Sequence, residues 1–341
     1  MTADVGRSAD DPVGIGVVGV GSFVANAAVL PAVEAATGCR LVALASRGSR
    51  IDPRWESVAV ADYDDVVGHP DVEAVYIPLP NGMHREWTER CAAAGKHVLC
   101  EKPLAADAET ARAMVDACDR AGVILAEAWM TPFHDRYREV VERARSGDVG
   151  DVTAIHGSFR FTIGPDADDN YRWDADQGGG ALLDVGIYAL GAIVELWDHE
   201  PETVEVRTRR RGGVDASTEA SLRWPDGREG TISCSFVDDE VQRLTVCGTG
   251  GTLAIPTEAF TGGVGDTTYL RSAHVASERP DAGRAGDAAP GSPVTVAGND
   301  PYRSMVEAFA IAVRGTRPWP RPAERSVEML ELLDRIRSVA S

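Results

Sequence analysis

The stretch HVLCEKPL, residues 97–104, ends an apolar run with an acid, a lysine and a proline. Pro103 fixes its own backbone, lacks an amide donor and disfavours helical geometry at Lys102, so a buried strand predicted here must stop and turn. Lys102 would then be held extended beside Glu101 at the carboxyl end of that strand, where open α/β sheets bind ligands. A surface lysine in a loop is the simpler interpretation of an isolated Glu-Lys-Pro, and the neighbouring elements decide between the two.

A second polar pair interrupts an apolar helix predicted over residues 180–197. Asp184 and Tyr188 are four residues apart and therefore share one helix face, and an acid and a phenol that are buried need hydrogen-bond partners. The glycines of QGGG, residues 177–180, precede this helix and allow close approach by another backbone or by a ligand. A tyrosine packed on a carboxylate is the alternative that the spacing alone allows.

A glycine turn near the N-terminus provides the context for the lysine. Residues 13–19, VGIGVVG, form a β-rich run typical of a buried parallel strand, and the helix-like residues 25–34 follow them, as in a dinucleotide-binding fingerprint. Gly19 permits the tight turn, and Gly21 lets the backbone approach a pyrophosphate at the helix N-terminus. Val24 stands where a third glycine is usual, which weakens the match, and a GxG pair by itself is often only a turn.

The preferred cofactor is predicted from the end of the second strand, residues 41–46. Ser46 and Arg47, with Arg50 shortly after, stand where NAD-specific sites place an acid for the ribose 2′-hydroxyl. A carboxylate would repel the 2′-phosphate of NADP, whereas a guanidinium binds it. The sequence therefore favours NADP(H), with NAD and a solvated basic turn as the alternatives.

Strands and helices alternate as far as residue 127, which predicts a doubly wound parallel sheet. The remaining strands of this sheet are predicted at residues 72–77, 96–100 and 123–127, with helices at 81–94 and 107–121. The chain then changes to β-rich runs at residues 152–161, 202–210, 216–224, 230–237 and 241–246, with helices at 135–145, 302–314 and 324–339. Turns such as Pro225-Asp226-Gly227 indicate hairpins in an antiparallel sheet, and the polar residues 280–293 are predicted to form a mobile loop.

We therefore predict an α/β Rossmann domain over residues 13–131 and an α+β domain over residues 132–341, after a disordered tail at residues 1–12. The net charge of −19 argues against nucleic acid as a partner. No apolar run approaches the roughly 20 residues that a membrane span needs. Six cysteines without a CxxC pair indicate reduced core residues and no metal site. The polar, acidic residues 1–12 lack the pattern of a signal peptide, which favours a cytoplasmic protein.

Together these motifs resemble the Gfo/Idh/MocA oxidoreductase family, in particular its branch of dimeric dihydrodiol dehydrogenases, NADP-dependent D-xylose 1-dehydrogenases and sugar 3-ketoreductases. The resemblance is carried by GVG at 19–21, CEKP at 100–103 and GGALLDVGIY at 179–188. FVA at 23–25 and Tyr188, where the inositol dehydrogenase branch typically has a histidine, are similar to that branch. The resemblance implies a Rossmann domain followed by a domain with a large, mostly antiparallel sheet that commonly forms homodimers or homotetramers.

The resemblance also assigns roles to individual residues. It makes Lys102 and Tyr188 the catalytic pair for hydride transfer between NADP(H) and a carbinol or carbonyl carbon of a sugar or cyclic polyol, with Asp184 at the substrate. Tyr188 would act as general acid, and the Lys102 ammonium would favour the tyrosinate. The cofactor site that it implies comprises Gly19, Gly21, Ser22, Phe23, Val24, Ser46, Arg47, Pro78, Leu79, Asn81, His84, Glu101, Lys102, Pro103, Arg172 and Trp173. It also implies a cis peptide bond between Lys102 and Pro103.

Two other functions are compatible with the same motifs. An NDP-hexose 3-ketoreductase of deoxysugar biosynthesis would use the same residues on a sugar-nucleotide substrate. A non-catalytic NADP-sensing regulator could be built on the same fold, and loss of the lysine or the tyrosine would have favoured it. Both residues are present, which favours an enzyme.

Overall fold

The computed structural model describes residues 11–48, 51–164, 167, 170–197, 200–273 and 291–340. The chain divides into two compact units. The first comprises Met1–Trp129 and Tyr302–Val327, and the second comprises Met130–Pro301 and Glu328–Ser341. The predicted domains placed everything after residue 131 in the second domain, whereas Tyr302–Val327 belong to the first unit.

The first unit contains a five-stranded parallel sheet. Its strands are β1 (Val13–Val18), β2 (Cys39–Ala45), β3 (Ala74–Ile77), β4 (His97–Glu101) and β5 (Leu125–Ala128), in the order β2-β1-β3-β4-β5. Strands β1, β3 and β5 are buried at every position, as expected for parallel strands covered on both faces. The predicted doubly wound sheet is confirmed, and the strand order reverses between β1 and β3, where such sheets bind ligands.

Helices connect these strands, and all but one of them lie where they were predicted. A π-helical segment, Ala25–Val29, leads into α1 (Leu30–Ala35), and α2 (Tyr63–Gly68), α3 (Asn81–Ala93) and α4 (Ala108–Ala121) follow. Helix α4 is capped at both ends: the Asp107 side chain accepts from the Thr110 amide at 2.7 Å, and Gly122 is left-handed with φ +66°. A 3₁₀ turn, Pro53–Val58, and α2 were not predicted.

The second unit is built on an eight-stranded sheet in the order β13-β12-β11-β10-β6-β9-β8-β7. Its strands are β6 (Val152–Thr162), β7 (Thr203–Arg211), β8 (Val214–Arg223), β9 (Glu229–Ser235), β10 (Val237–Gly248), β11 (Gly251–Ile255), β12 (Thr267–Ala273) and β13 (Ser292–Val296). All neighbouring strands are antiparallel except β6 and β9. The predicted antiparallel sheet is thus confirmed, including the β8–β9 hairpin, whose turn has Gly227 at φ +85°.

Strands β11 to β13 were missing from the prediction. The predicted mobile loop at residues 280–293 is wrong at its end, because β13 begins at Ser292. Pro293 argued against a strand, but β13 lies at the edge of the sheet, where a missing amide donor is tolerated. Residues 280–290 lie outside the described part of the chain, as do residues 1–10 of the predicted tail.

Helices α5 (Asp135–Arg145) and α6 (Ile187–Leu196) lie in the second unit. The single helix predicted over residues 180–197 begins instead as a π-helical segment, Leu182–Gly186, which continues into α6. Within the described part of the chain, one helical stretch, Ala175–Leu196, is long and apolar enough to cross a membrane, but 83% of its apolar 18-residue window is buried inside the fold, as in a core helix. Helices α7 (Pro301–Val313) and α8 (Ala323–Val339) close the chain as predicted.

Candidate active site

The predicted site residues of the first unit collect at one edge of its sheet. The glycine turn follows β1, Ser46 and Arg47 follow β2, residues 78–81 follow β3, and Lys102 follows β4. Because these strands are parallel neighbours, all four connections leave the same edge. The connections that carry the predicted cofactor residues of this unit therefore lie together at the carboxyl edge of the sheet.

The glycine turn after β1 has no room for a side chain at its first position. Gly19 has φ +99°, and a Cβ there would lie 2.4 Å from Leu79 Cδ2. Its amide donates to the Ala45 carbonyl at 2.9 Å, which fastens the turn to the end of β2. The turn leads into a helix whose first amides have no partner within the helix, so it can accept a pyrophosphate.

Asn26 fixes this turn and was not predicted as a site residue. Its side-chain amide donates to the carbonyl oxygens of Val20 and Ser22, at 2.5 and 2.9 Å. The turn thus keeps its shape without a third glycine at Val24. A lone amide among the apolar residues 25–33 was the signal that could have revealed it. Phe23 lies beside the turn and is 83% exposed.

The end of β2 suits a phosphorylated ribose. The Arg47 guanidinium lies 4.6 Å from the Tyr63 ring and 5.6 Å from the Trp87 ring, so the two aromatic rings hold it in place. Ser46 precedes it, and from Ser46 through Gly48 the described chain has no carboxylate that would repel a 2′-phosphate. The residues present therefore fit NADP(H). Arg50 lies outside the described residues.

Lys102 begins the turn after β4, and its peptide bond to Pro103 is cis, as predicted. Glu101, which is 9% exposed, accepts from the Tyr76 hydroxyl at 2.6 Å and from the Lys102 amide at 3.2 Å. Burial raises the pKa of Glu101 to about 7, although the Tyr76 hydrogen bond and the Lys102 charge oppose the shift. The same burial, together with the Glu101 charge, raises the pKa of Tyr76.

His84 holds two connections together and does not present its ring to a ligand. The residue is completely buried; Nε2 lies 2.8 Å from the Leu79 carbonyl, and Nδ1 lies 3.1 and 3.2 Å from those of Pro103 and Leu104. Burial lowers the pKa of His84, while the facing carbonyls oppose the shift. The predicted border contact with a cofactor is therefore replaced by a positioning role, because a side chain without exposed surface cannot touch one.

In the second unit, Asp184 is paired with Arg172. The Arg172 Nε lies 2.6 Å from the Asp184 carboxylate, and Asp184 is 8% exposed. Burial by itself would lower the pKa of Arg172, but the charges of Asp184 and of the nearby Tyr171 and Tyr188 outweigh it and raise that pKa. Arg172 thus gives Asp184 a charged partner that the sequence did not indicate.

Tyr188 packs in an aromatic cluster at the start of α6. Its ring centroid lies 5.1 Å from that of Phe159 and 5.7 Å from that of Phe260, and those two phenylalanines stack on each other at 6.0 Å. The Thr131 hydroxyl donates to the Phe260 carbonyl at 2.7 Å and so fixes the loop that carries this ring. The cluster limits the orientations that the phenol can adopt.

The glycines before this helix allow a close backbone contact, as predicted. A Cβ on Gly179 would lie 2.5 Å from the Arg172 carbonyl oxygen, and the Gly180 amide donates to the same oxygen at 3.0 Å. The turn that carries Arg172 therefore rests directly on the glycine segment. The next residue, Trp173, was also predicted to bind the cofactor. The Arg211 guanidinium covers its ring at 4.4 Å, and both residues belong to the second unit.

Comparison with protein families gives two matches. Residues 13–128 match the oxidoreductase family with the NAD-binding Rossmann fold, and residues 137–254 match the GFO/IDH/MocA C-terminal domain. This chain belongs to the Gfo/Idh/MocA family of oxidoreductases. The α/β architecture and the family that the motifs indicated are both confirmed.

Individual members of the Gfo/Idh/MocA family resemble this one over most of its length. D-xylose 1-dehydrogenase (NADP(+)) 2 of Haloferax volcanii is 34% identical over 323 residues, which are 90% of this chain and 91% of the relative. The dTDP-3,4-didehydro-2,6-dideoxy-alpha-D-glucose 3-reductase of Saccharopolyspora spinosa is 34% identical over 262 residues, which are 73% of this chain and 76% of the relative. Both relatives act on sugars, as their names state.

A solved Gfo/Idh/MocA structure shows the same fold with a cofactor bound. KijD10, a 3-ketoreductase from Actinomadura kijaniata in complex with NADP and TDP-benzene, has a TM-score of 0.82 at 27% identity and covers 96% of this chain and 98% of its own. Further solved forms of KijD10 carry replacements of one tyrosine or of one lysine. The predicted cofactor is NADP. KijD10 is bound to NADP in its solved structure, and the name of the Haloferax enzyme includes NADP(+).

Proposed function

We propose that this protein catalyses reversible hydride transfer between NADP(H) and a carbinol or carbonyl carbon of a sugar or cyclic polyol. The observation that carries the proposal is the sheet edge on which the glycine turn, Arg47 and Lys102 follow three strands of one parallel sheet. A single extended dinucleotide fits such an edge, with its pyrophosphate at the turn and its 2′-phosphate at the arginine. The NADP named for the relatives supports the same cofactor.

The proposed cofactor residues divide by the part of NADP(H) that they would hold. Gly19, Gly21 and Ser22 would carry the pyrophosphate, and Ser46 and Arg47 the 2′-phosphate. The residues nearer the nicotinamide would be Pro78, Leu79, Asn81, Glu101, Lys102 and Pro103, with Arg172 and Trp173 from the second unit. When bound, NADP(H) supplies the hydride chemistry, and the protein supplies orientation and proton handling.

Tyr188 and Lys102 are the proposed catalytic residues. Reduction places negative charge on the carbonyl oxygen of the substrate, and Tyr188 donates a proton to that oxygen as general acid. The Lys102 ammonium favours the tyrosinate that remains and stabilises the developing alkoxide. In the oxidative direction, the same tyrosinate removes the proton from the sugar hydroxyl. A lysine and a tyrosine are also the residues replaced in the solved forms of KijD10.

Asp184 is the proposed anchor for a substrate hydroxyl. Its carboxylate is 8% exposed and is already paired with Arg172, so it can accept hydrogen bonds without a large further desolvation cost. The Arg172–Asp184 pair would therefore present a fixed acceptor to a neutral polyol. This arrangement suits a substrate with several hydroxyl groups.

The substrate remains a choice between two classes. An aldose would make the protein an aldose 1-dehydrogenase, as the identity to the Haloferax enzyme favours. An NDP-hexose would make it a 3-ketoreductase, which the identity to the Saccharopolyspora enzyme and the similarity to KijD10 favour. We place the aldose first because the Haloferax match spans 90% of this chain.

The proposal is tested by a turnover screen with four substrate groups: aldoses, inositols, trans-dihydrodiols and keto-sugar nucleotides. Absorbance of NADPH is followed in both directions, and each active substrate is repeated with NADH. We expect NADP(H)-dependent turnover in one group and a clear preference over NAD(H). NADPH binding without turnover in any group would favour the NADP-sensing regulator instead.

We also propose that the protein forms a homodimer or homotetramer through the open face of the second sheet. Half-buried, mostly polar side chains alternate along β6 on the face away from α6, among them His156, Ser158 and Arg160. Light scattering of the purified protein would give the mass, and Ser158→Glu should lower it. The proposal includes a cytoplasmic location because the six cysteines are free thiols, which suits a reducing compartment.

A further inference from the structure

A buried ion pair lies directly behind the turn that carries Lys102. Glu127 on β5 and Arg321 are 2% and 6% exposed, and Arg321 Nη1 lies 2.8 Å from Glu127 Oε2. Ser326 is completely buried and donates to the same oxygen at 2.7 Å. The three residues belong to the first unit, and two of them come from the C-terminal segment that returns to it.

The second oxygen of Glu127 holds the lysine turn. Glu127 Oε1 accepts from the Leu104 amide at 2.8 Å, two residues after Lys102. The carbonyls of Pro103 and Leu104 face the buried ring of His84, at 3.1 and 3.2 Å. The turn is therefore fixed through the Leu104 amide by Glu127 and through the carbonyls of Pro103 and Leu104 by His84.

A second ion pair shows that anchoring the C-terminal segment does not require this location. Arg314, from the same segment, binds Glu73 at 2.7 and 3.1 Å, and Glu73 Oε2 accepts from the Gly14 amide at 2.9 Å. Glu73 and Gly14 lie at the amino ends of β3 and β1, on the edge opposite Lys102. An apolar pair could hold a buried segment at least as well as an ion pair does. The charge of Glu127 is therefore expected to have a function at the carboxyl edge of the sheet.

We propose that the cluster of Glu127, Arg321 and Ser326 positions the catalytic lysine. Arg321 and Ser326 fix the Glu127 carboxylate, the carboxylate fixes the Leu104 amide, and the amide fixes the direction in which Lys102 leaves the sheet. The inference rests on the proposed function, in which the Lys102 ammonium acts on the tyrosinate and the alkoxide. Glu127 and Arg321 are positioning residues, because they act through the turn and not on the substrate.

Amine chemistry can follow Lys102 individually, because the chain has only two lysines, Lys96 and Lys102. Lys96 lies just before β4 and Lys102 just after it, and both are half-buried. The Lys96 ammonium donates to the carbonyls of His69 and Val72, at 3.1 and 2.7 Å. Lys96 is therefore an internal reference at the other end of the same strand.

The test compares Arg321→Met and Ser326→Ala with the conservative Arg321→Lys and with Arg314→Met as the matched ion-pair control. Three quantities are measured on the full-length protein: the rate at which succinic anhydride labels Lys102 relative to Lys96, hydrogen exchange of the Leu104 amide, and kcat and KM with NADPH. We expect Arg321→Met to change the labelling rate of Lys102 roughly threefold or more and to speed exchange at Leu104. kcat should fall about tenfold or more with little change in KM for NADPH.

Arg321→Lys should recover most of the loss, and Arg314→Met should lower thermal stability without changing the labelling of Lys102. Wild-type labelling and Leu104 exchange in both Arg321→Met and Ser326→Ala would overturn the inference. An equal loss of kcat in Arg314→Met would do so too. If Arg321→Met does not fold, Ser326→Ala decides by the same readouts. Labelling and exchange need no substrate, so a missing NADPH-dependent turnover would count against the proposed function and not against this inference.

Discussion

Arginine supplies nearly all of the positive charge in this chain, and Lys102 is one of two exceptions. A guanidinium cannot lose its proton in a protein and binds phosphate with a planar fork, whereas an ammonium is a compact charge that can titrate. In the proposed function, each is used where its chemistry fits: Arg47 would bind the 2′-phosphate, and Lys102 would face the charge that develops during reduction. The distinction makes the cofactor and the catalytic proposals separately testable.

Arg47→Ala should weaken NADPH binding and leave NADH binding nearly unchanged. Each charge-assisted hydrogen bond to the 2′-phosphate contributes about 1.5–3 kcal/mol, so the Kd for NADPH should rise roughly 10- to 150-fold. Arg54→Ala is the matched control, because Arg54 also lies over an aromatic ring, Trp55, at 4.5 Å. Fluorescence titration with both cofactors measures the effect. An equal loss for NADH would show that Arg47 does not contact the 2′-phosphate.

Glu101 should make the protein less stable as the pH rises from 5 to 8. Its pKa is raised from 4.5 to about 7 by burial, so the native state holds a proton that the unfolded state has already lost. This stability is fully present below pH 4.5 and is lost as the pH rises through 7, with a magnitude on the order of 3 kcal/mol. Glu101→Gln should flatten the dependence, whereas the exposed Glu109→Gln should not. Urea unfolding at several pH values measures the dependence. If the free energy of unfolding changes with pH to the same extent in the wild type and in Glu101→Gln, the assignment to Glu101 is wrong.

The proposed site residues of the first unit lie in the connections between its strands and helices. The hydrogen bonds that hold these connections in place are the part that sequence patterns do not reveal. The strands β1, β2, β3, β4 and β5 were predicted because continuous apolar runs bounded by turn residues specify buried parallel strands. His84 and Asn26 show the limit: their residue types and spacing are visible, but the direction in which each side chain turns depends on neighbouring loops. The π-helical start of the helix with Asp184 was likewise not predicted, since sequence periodicity indicated one regular helix.

Asn26→Leu should weaken binding of NADPH and NADH equally. The substitution keeps the volume of the side chain and removes its two hydrogen bonds to the glycine turn. Two such bonds contribute about 1 kcal/mol each, so both Kd values should rise roughly 5- to 30-fold. A loss shared by both cofactors would distinguish the turn, which is proposed to hold their common pyrophosphate, from Arg47. A loss for NADPH alone would contradict the role given to Asn26.

At the scale of the whole molecule, two units divide the chemistry. The first carries the proposed cofactor edge and Lys102, and the second carries Asp184 and Tyr188, each in a setting fixed by its own contacts. The return of Tyr302–Val327 to the first unit was not predicted, because amphipathic helices show that a face is buried but not which unit buries it. The two ion pairs of Arg314 and Arg321 hold this segment to opposite edges of the parallel sheet.

The most direct test of the account measures kcat and NADPH affinity for Lys102→Met and Tyr188→Phe with the substrate found in the turnover screen. Both substitutions keep the approximate shape of the side chain. Lys102→Met removes the ammonium that is proposed to favour the tyrosinate, and Tyr188→Phe removes the hydroxyl that is proposed to donate the proton. We predict that kcat falls by about 100-fold or more in each variant while the Kd for NADPH stays within about threefold of wild type. Near wild-type kcat in either variant would contradict the central claim that these two residues carry the reaction.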